Sequence, residues 1–570
     1  TAVGYLSLNA NTTGATNTAI GDQALKNNTT ASNNAAGGYR SLEENTTGAS
    51  NTAFGSEALR ENTTADNNTA FGNAALFANT TGFSNTAVGR SALVANTTGV
   101  QNVAIGHNAL VASNASDSTA VGMSSLSSNT SGSENSAIGS FALGANTSGS
   151  SNTAVGMDSL RNNTTANNNT AVGHDCLRAN TTGINNTAFG SGSLLANTTA
   201  NYNTAIGERA CYSNTTGTLN VALGSQSLYF NTTGSYNTAI GYQTLSTNTT
   251  ASNNTAVGYQ ALETNSTGNF LTGIGDRALH LNTTGSLNNA FGAQALYSNT
   301  TGSNNTAVGH QALAANTTAS NNTAVGFDAL EANTTGADNV AVGQIALQKS
   351  TTAEGNVAIG RFSMNNTTTG SNNVAVGKNS LGANTTGTRN TAVGANALDA
   401  ATTGDDNTAV GQNSQTRTTT GTGNTSIGRE SMDKNTTGAA NVAVGMYALY
   451  GNTSASHNIA VGVSALEVNT TGAQNVAIGH QALELNTTAN NNVAVGYQAL
   501  KANTTGTGNI AIGRRALDAN TTGATLTAIG QSALGANTTA DNNTAVGYES
   551  LGANTTGTRN TALGAQALDA

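Results

Sequence analysis

The sequence predicts an all-β protein: a parallel β-solenoid, or β-roll, of about 33 coils with 17 residues and two short strands per coil. Three observations predict this fold. One unit, T-A-V-G-x-x-A-L-x-x-N-T-T-G-x-x-N, repeats along the 570 residues, for example over 306–322. Position 4 of the unit is glycine in all 34 copies. β-Branched residues recur at fixed positions among Asn, Thr and Gly, which is typical of short strands joined by turns.

The repeat continues along the whole chain with a single interruption. It advances in steps of 17 from Thr1 to Val103, loses one residue near 113–118, and then runs from Thr119 to Thr561 without a break. The lost residue falls in the loop half of the unit, where a change of length costs least. We therefore predict one continuous repeat domain over 1–570, with no internal boundary. Because no capping segment is visible, we also expect uncapped coil edges that could pair end to end in a filament.

The invariant glycine indicates a requirement of the backbone. A uniform glycine implies either a positive φ angle or a close approach of another chain segment. We predict structural turn glycines throughout, represented by Gly4, Gly106, Gly309 and Gly479. Position 14 is usually Gly but often Ala, so a left-handed backbone is not required there.

The alternation of residue types predicts the faces of the coil. Positions 1 and 3 share one face of a strand, positions 7 and 8 form a second strand, and positions 1, 3 and 8 face the core. Representative core residues are Val308, Leu313, Ile478 and Leu483. Positions 2 and 7 are always small and lie opposite, so we expect this face to pack on other chains in a threefold rod. The alternative is a very flat roll in which both faces are internal.

Asn recurs at positions 11 and 17, where stacked coils would align the side chains in ladders. Positions 11 to 13 also form N-x-T sequons. The sequons predict glycosylation in a host that has the enzymes, for example at Asn62, Asn79, Asn316 and Asn503. The alternative is a bare Asn and Thr ladder.

The bulk composition excludes several classes of function. A net charge of −9 without basic clusters argues against nucleic-acid binding. The chain lacks a run of 18 apolar residues that could span a membrane. His174, Asp175 and Cys176 are adjacent, but Cys176 and Cys211 occupy packed positions and are interpreted as small core residues. We find no phosphate loop, catalytic carboxylate pair or metal-ligand spacing, and predict a protein that is not an enzyme and needs no cofactor or metal.

Variation concentrates at positions 5, 6, 9 and 10. Aromatic and Arg side chains there are candidates for an adhesive contact face: Arg60, Tyr242, Tyr259, Arg361, Arg514 and Tyr548. The alternative is a solvated face under weak constraint. The neighbouring Thr residues at positions 12 and 13 should face different ways, so a flat ice-binding array is not expected from them.

Several units carry the motif N-x-A-I-G, at 102–106, 356–360 and 475–479. This motif resembles the YadA-like head repeats of trimeric autotransporter adhesins, in a longer 17-residue variant that includes an N-T-T-G insertion. The resemblance implies a parallel β-roll, a homotrimer, a cell-surface location and adhesion to host matrix or other cells. The chain carries no neck, stalk or anchor motif of that family.

Together these patterns predict a structural or adhesive extracellular fibre, a rigid rod for surface attachment or filament formation. Expected partners are copies of the chain, as a homotrimer or an end-to-end filament, and a matrix, cell-surface or glycan ligand. One alternative is a receptor-binding rod similar to a phage or virus tail fibre. Another is a glycan- or ice-binding repeat module.

Overall fold

The computed structural model describes residues 1–569, which form two compact units: Thr1–Leu287 and a second unit that begins at Asn288. Each unit is a parallel β-solenoid with one strand in every 17-residue coil. The predicted fold class and coil length are confirmed. The prediction of a single domain without a boundary stays a prediction, since each unit is described by itself.

The first unit contains 17 strands, each of two or three residues. They are β1 (Ala2–Val3), β2 (Thr18–Ile20), β3 (Ala35–Gly37), β4 (Thr52–Phe54), β5 (Thr69–Phe71), β6 (Thr86–Val88), β7 (Val103–Ile105), β8 (Thr119–Val121), β9 (Ser136–Ile138), β10 (Thr153–Val155), β11 (Thr170–Val172), β12 (Thr187–Phe189), β13 (Thr204–Ile206), β14 (Val221–Leu223), β15 (Thr238–Ile240), β16 (Thr255–Val257) and β17 (Thr272–Ile274).

Through residue 569 the second unit also contains 17 strands. They are β18 (Asn289–Phe291), β19 (Thr306–Val308), β20 (Thr323–Val325), β21 (Val340–Val342), β22 (Val357–Ile359), β23 (Val374–Val376), β24 (Thr391–Val393), β25 (Thr408–Val410), β26 (Thr425–Ile427), β27 (Val442–Val444), β28 (Ile459–Val461), β29 (Val476–Ile478), β30 (Val493–Val495), β31 (Ile510–Ile512), β32 (Thr527–Ile529), β33 (Thr544–Val546) and β34 (Thr561–Leu563).

Strands of successive coils pair in parallel, and each residue lies beside its equivalent one coil away. In the second unit, for example, Ala307 lies beside Ala324. The shortened coil keeps this register, because Val103 pairs with Thr119 although only 16 residues separate them. Residues at the same repeat position therefore stack in columns. The burial and chemical character of each position consequently extend along the unit.

The predicted second strand at positions 7 and 8 is wrong. Positions 6 and 8 adopt left-handed backbone conformations, as in Gln311 (φ 54°) and Leu313 (φ 53°), and such residues interrupt an extended strand. Stacking bonds nevertheless continue through this turn, since the N–H of Leu313 donates to the carbonyl of Ala329 in the next coil at 3.0 Å.

The interior of the coil is formed by positions 2, 7 and 8. Ala307, Ala312 and Leu313 are fully buried. The predicted core residues Leu313 and Leu483 are confirmed, whereas Val308 (37% exposed) and Ile478 (41% exposed) lie on the outside, so that part of the prediction is wrong.

The reason for this error is the narrow interior. Only a methyl group fits at positions 2 and 7, and the left-handed turn swings the Leu of position 8 inward beside them. The prediction that positions 2 and 7 face another chain is therefore also wrong, because their own coil covers them. Small side chains at these two positions reflect a thin core.

The invariant glycine satisfies both predicted requirements. Gly309 has φ of 132°, and a Cβ atom built there would lie 2.4 Å from the carbonyl oxygen of Gly326 in the next coil. The corresponding distances are 2.4 Å for Gly4, 2.5 Å for Gly106 and 2.4 Å for Gly479. Any other residue at these positions would have a strained backbone, and its Cβ atom would clash with the carbonyl oxygen of the next coil.

Two buried asparagine ladders supply hydrogen-bond partners to the polar groups in the loop half of the coil, as predicted. At position 11, Nδ2 of Asn316 donates to Oδ1 of Asn299 at 2.8 Å and to the carbonyl of Ala319 at 3.0 Å. At position 17, the backbone N–H of Asn322 donates to Oδ1 of Asn305 at 3.0 Å. These bonds supply partners for polar groups that the small apolar core leaves uncovered.

A side chain replaces the peptide missing from the shortened coil. In a regular coil the N–H groups of Thr80 and Thr81 both donate to the carbonyl of Thr97, at 2.9 and 3.1 Å. One coil further on, the N–H groups of Thr97 and Thr98 both donate to Oδ1 of Asn114, at 2.9 Å each. The Asn114 amide thus preserves the stacking bonds across the deletion.

Candidate interaction surfaces

The side chains of positions 1 and 3 project outward from every strand and form what we call the apolar stripe of each unit. Position 3 is Val, Ile, Leu or Phe in 33 of 34 copies, with Gly37 as the exception. Its Ile and Phe side chains are well exposed, at 49% for Ile20 and 41% for Phe54, whereas many of its valines, such as Val121, are half-exposed. Since β-strand side chains alternate between faces, this exposure follows directly from burial of position 2.

The stripe carries no charge. Position 1 is Thr, Val or Ile in 31 of 34 copies, and neither position 1 nor position 3 is ever charged. Neighbouring side chains pack along the stripe, as in the rings of Phe54 and Phe71, which stack at 5.4 Å. A contiguous exposed apolar surface of this kind marks an interaction site in most soluble proteins.

Sequence reasoning missed the stripe, although a signal for it exists in the repeats. Position 3 accepts side chains from Gly37 to Phe54, whereas position 2 accepts only Ala, Gly or Ser. A column that tolerates a large range of volumes has free space on its outer side. Position 2, which accepts only small residues, is the column confined by packing.

The predicted contact residues at position 5 lie on the surface but do not form one patch. Tyr242 and Tyr259 occupy adjacent coils, and their rings stack at 5.8 Å. The guanidinium of Arg361 lies over the ring of its neighbour Phe362 at 4.6 Å. Arg514 and Tyr548 are exposed two coils apart, with Gln531 in the coil between.

Arg60 differs from the other predicted contact residues, because it occupies position 9 and is engaged in an acidic cluster. Its Nε atom donates to Oε2 of Glu43 at 3.1 Å, and Glu57 and Glu61 lie within ion-pair distance. Burial alone would lower the pKa of Arg60, but the hydrogen bond to Glu43 and the three carboxylates together raise the pKa above its ordinary value. The Arg60 side chain is therefore engaged in ion pairs within the chain, and it is a weaker candidate for contacting a partner.

The predicted glycosylation sites are buried. The side chains of Asn62, Asn79, Asn316 and Asn503 are fully inaccessible in the ladder of position 11. A glycan on Nδ2 would replace one of the two hydrogens that this atom donates to the neighbouring Asn and to the carbonyl of position 14, and would have no room in the buried ladder. A glycan at these four residues would therefore require the coil to open, and glycosylation there stays a prediction.

The cysteines are buried thiols without a bond between them. Burial raises the pKa of Cys176 to about 11 and that of Cys211 to about 12, which keeps both in the poorly nucleophilic thiol form. Nδ1 of His174 lies 3.3 Å from a carboxylate oxygen of Asp175. Within residues 1–569 we find no group of three or more His, Cys, Asp or Glu side chains arranged to hold a metal ion.

Separate shallow notches lie on the turn side of the coils and are lined mainly by positions 6, 9 and 10. They occur at several small residues of position 9, namely Gly144, Ala314, Gly382 and the Gly535–Gly552 pair. The notch at Ala314 has a volume of about 580 Å³. Its walls are Gln294, Tyr297, Ser298, Gln311, Ala315, Glu331 and Ala332.

No protein-family profile matches this chain, and no curated protein matches it significantly. Over the described residues there is also no helix of the length and apolarity that crossing a bilayer requires.

Proposed function

We propose that the chain is a structural and adhesive protein of extracellular fibres, in which each solenoid unit is a stiff element and copies of the chain associate along the apolar stripe. The observation that carries this proposal is the stripe itself: it is uncharged, at least partly exposed, and apolar at position 3 in every coil except that of Gly37. The N-x-A-I-G motif supports a location at a cell surface. Matrix, cell-surface and glycan ligands are the corresponding partners.

The area of the stripe is sufficient to support association. Covering an Ile side chain that is about 40% exposed contributes on the order of 0.5–1 kcal/mol. The second unit has an apolar side chain at position 3 in all 17 coils, and at about 0.5 kcal/mol each, since many are half-buried valines, they sum to roughly 9 kcal/mol before the cost of association is subtracted. Identical coil spacing in each copy lets the stripes match coil by coil, and we propose a threefold rod as the arrangement that buries all stripes equally.

The test is the mass of the assembly in solution, by sedimentation equilibrium. We expect about three times the chain mass of 56.5 kDa for the wild type. The double variant Ile478→Lys and Ile512→Lys places charge in the stripe and should dissociate the rod. The matched control, Gln412→Lys and Gln531→Lys, adds the same charge at exposed position 5 and should leave the mass unchanged.

Two results would contradict this proposal at different levels. A wild-type mass of one chain at all concentrations would refute self-association. A mass of two chains that the stripe variant abolishes would keep the interface and refute the threefold arrangement.

Ice binding is a second candidate, favoured by the Thr residues of position 1. In 21 of 34 copies this position is Thr, so ranks of hydroxyl and methyl groups lie side by side at the ~4.8 Å strand spacing. The Thr residues of position 12 are unsuitable, because their hydroxyls donate to the next coil, as Thr317 does to the carbonyl of Thr334 at 3.0 Å. Thermal hysteresis in a solution of the single-chain protein, whose stripe is not covered by other copies, would support this candidate. The absence of thermal hysteresis would exclude it.

A further inference from the structure

We propose that the notch at Ala314 in the second unit is a binding site for a neutral oligosaccharide. The notch is lined by one aromatic side chain, a pair of glutamine amides and a carboxylate around a small floor. It shares no residue with the apolar stripe, so the inference does not depend on how the chain assembles.

The notch exists because one coil has no aromatic side chain at position 9. At position 9 of the first unit, Tyr212 and Tyr229 occupy consecutive coils and stack at 5.1 Å with an angle of 4° between their planes. At the same position Tyr297 is followed one coil later by Ala314. The column therefore has a slot about one ring thick beside Tyr297, and the flat apolar face of a pyranose has the dimensions to fill it.

The amides provide fixed polar contacts along one wall. Nε2 of Gln311 donates to Oε1 of Gln294 at 2.9 Å, which sets the orientation of both half-buried side chains. An oriented amide presents both a donor and an acceptor, as the hydroxyl groups of a sugar require. Few, convergent polar groups in an otherwise small-residue cavity are typical of ligand sites.

A carboxylate forms the far end of the notch. Glu331 lines the notch, and its Oε2 accepts a bond from Nε2 of Gln348 at 2.8 Å. Asp328, three residues earlier, is not part of the lining: its Oδ1 is buried and lies 3.9 Å from Nδ1 of His310. The Glu331 carboxylate accepts bonds from sugar hydroxyls and repels acidic groups, so the ligand class is a neutral saccharide.

The axial length also suits a chain of sugars. The notch spans residues of three consecutive coils, whose ~4.8 Å rise is comparable to the length of one pyranose in an extended glycan. The related notches differ in one respect. Arg161 lies over Phe141 at 4.9 Å and Arg361 over Phe362 at 4.6 Å, so a cation already occupies the aromatic faces at Gly144 and Gly382. The inference concerns the notch at Ala314, where Tyr297 adjoins the small residues Ala314 and Ala315.

The experiment is saturation-transfer NMR and calorimetric titration of the full chain with cellotetraose, mannotetraose and galactotetraose, with tetragalacturonate as the acidic counter-probe. We expect binding of at least one neutral tetrasaccharide and at least tenfold weaker binding of the acidic one. Ala314→Tyr should fill the slot as the stacked tyrosines of the first unit do, and weaken binding at least tenfold. The matched control Ala395→Tyr, at position 5 in the same unit, should leave binding unchanged.

Tyr297→Ala serves as a second variant that enlarges the notch, in case the filled notch disturbs folding. It should also weaken binding at least tenfold. No binding of any of the three neutral probes, an unchanged affinity in both notch variants, or preferred binding of tetragalacturonate would overturn the proposal. A one-chain mass in sedimentation refutes the stripe interface and leaves this result intact, so the two proposals fail separately.

Discussion

Two segments of the second unit build the ladder of position 11 in different ways. From Asn435 to Asn537 every coil supplies an Asn, and from Asn452 onward each Nδ2 donates to the Oδ1 of the preceding coil at 2.7–3.2 Å. We call this the intact segment. From Ser350 to Thr418 only Asn384 retains the consensus residue, and we call this the interrupted segment.

The interruptions leave polar atoms without partners. Oδ1 of Asn333 faces Ser350 in the next coil, Oδ1 of Asn384 faces Ala401, and both acceptors are buried without a hydrogen bond. The same defect recurs in the first unit, where Oδ1 of Asn96 precedes Ser113. Each break thus costs a buried acceptor its donor.

The backbone does not respond to these breaks. The N–H of Thr368 donates to the carbonyl of Thr385 at 2.9 Å in the interrupted segment, as Thr470 does to Thr487 in the intact segment. The difference shows that stacked peptide bonds and the glycine turn define the coil. The Asn ladder adds stability to a coil that already forms without it.

The largest expected effect should be equal in the two segments. Gly377→Ala and Gly479→Ala each bring a Cβ to within 2.5 Å of the next glycine carbonyl, at φ values of 140° and 135°. We expect each to lower the free energy of local opening by roughly 4 kcal/mol. Native-state hydrogen exchange, which resolves opening segment by segment, is the measurement.

The control is Gly382→Ala, at a glycine of the interrupted segment that has no left-handed φ. A Cβ there would lie 2.6 Å from Oδ1 of Asp399, a side-chain atom that can move aside, so the effect should be much smaller. A loss at Gly377 that is several-fold smaller than the loss at Gly479 would show that the backbone requirement differs between the segments, contrary to this interpretation.

The next effect should distinguish the segments. Asn486→Ala removes bonds to Asn469 (2.7 Å) and Ala489 (3.1 Å) and the acceptor for Asn503 (3.0 Å). We expect a loss of about 3 kcal/mol in local opening free energy. Thr418→Ala removes one long bond from Asn435, at 3.4 Å, and should cost about 1 kcal/mol. Equal losses by hydrogen exchange would show that the ladder does not contribute as described.

How much of this was predictable depends on the residue type. The glycine turn and the Asn ladders could be predicted because Gly309 and Asn316 have equivalents in nearly every coil, and few physical reasons explain such uniformity. Which face of the strand is buried could not be predicted. The larger side chain of Val308 suggested a place in the core, and the methyl group of Ala307 suggested packing against another chain. The left-handed conformation of Leu313 decides this, and Leu has no intrinsic preference for it.

The candidate sites were even less accessible to sequence reasoning. The Ala314 notch exists because Tyr297 and Ala314, 17 residues apart, are neighbours in one column. A search of position 9 for an aromatic residue followed by a small one would have found it. The orphaned oxygens of Asn333 and Asn384 follow in the same way from reading position 11 as a column.

Repairing the interrupted segment should stabilise it modestly. In Ala401→Asn, the new amide is placed to donate to the orphaned Oδ1 of Asn384 and to the carbonyl of Gly404, as its equivalents do in regular coils. We expect a gain of about 1 kcal/mol in the opening free energy of the neighbouring amides. Ala400→Asn, one residue earlier in the turn, is the matched control and should give no gain. If both variants behave alike, the unsatisfied acceptor is not the cause of lower stability.

The smallest expected effects concern the charges of one coil in the interrupted segment. Burial raises the pKa of Asp399 above that of the unfolded chain, so its contribution to stability is complete below the unfolded pKa and is lost as pH rises through the folded pKa. The hydrogen bond from Arg389, at 2.7 Å, lowers the pKa of Asp406, whose contribution is present above the unfolded pKa and lost as pH falls through the folded pKa.

The variants Asp399→Asn and Asp406→Asn should therefore change the pH dependence of local opening in opposite directions. Relative to the wild type, Asp399→Asn should be more stable at neutral pH, with the difference shrinking toward pH 3. Asp406→Asn should be slightly less stable at neutral pH, and its deficit should also shrink at low pH. Denaturant-dependent hydrogen exchange at several pH values measures both. Changes of the same sign would show that coil-specific electrostatics do not govern this segment, and would leave the broken ladder as the source of its difference from the intact one.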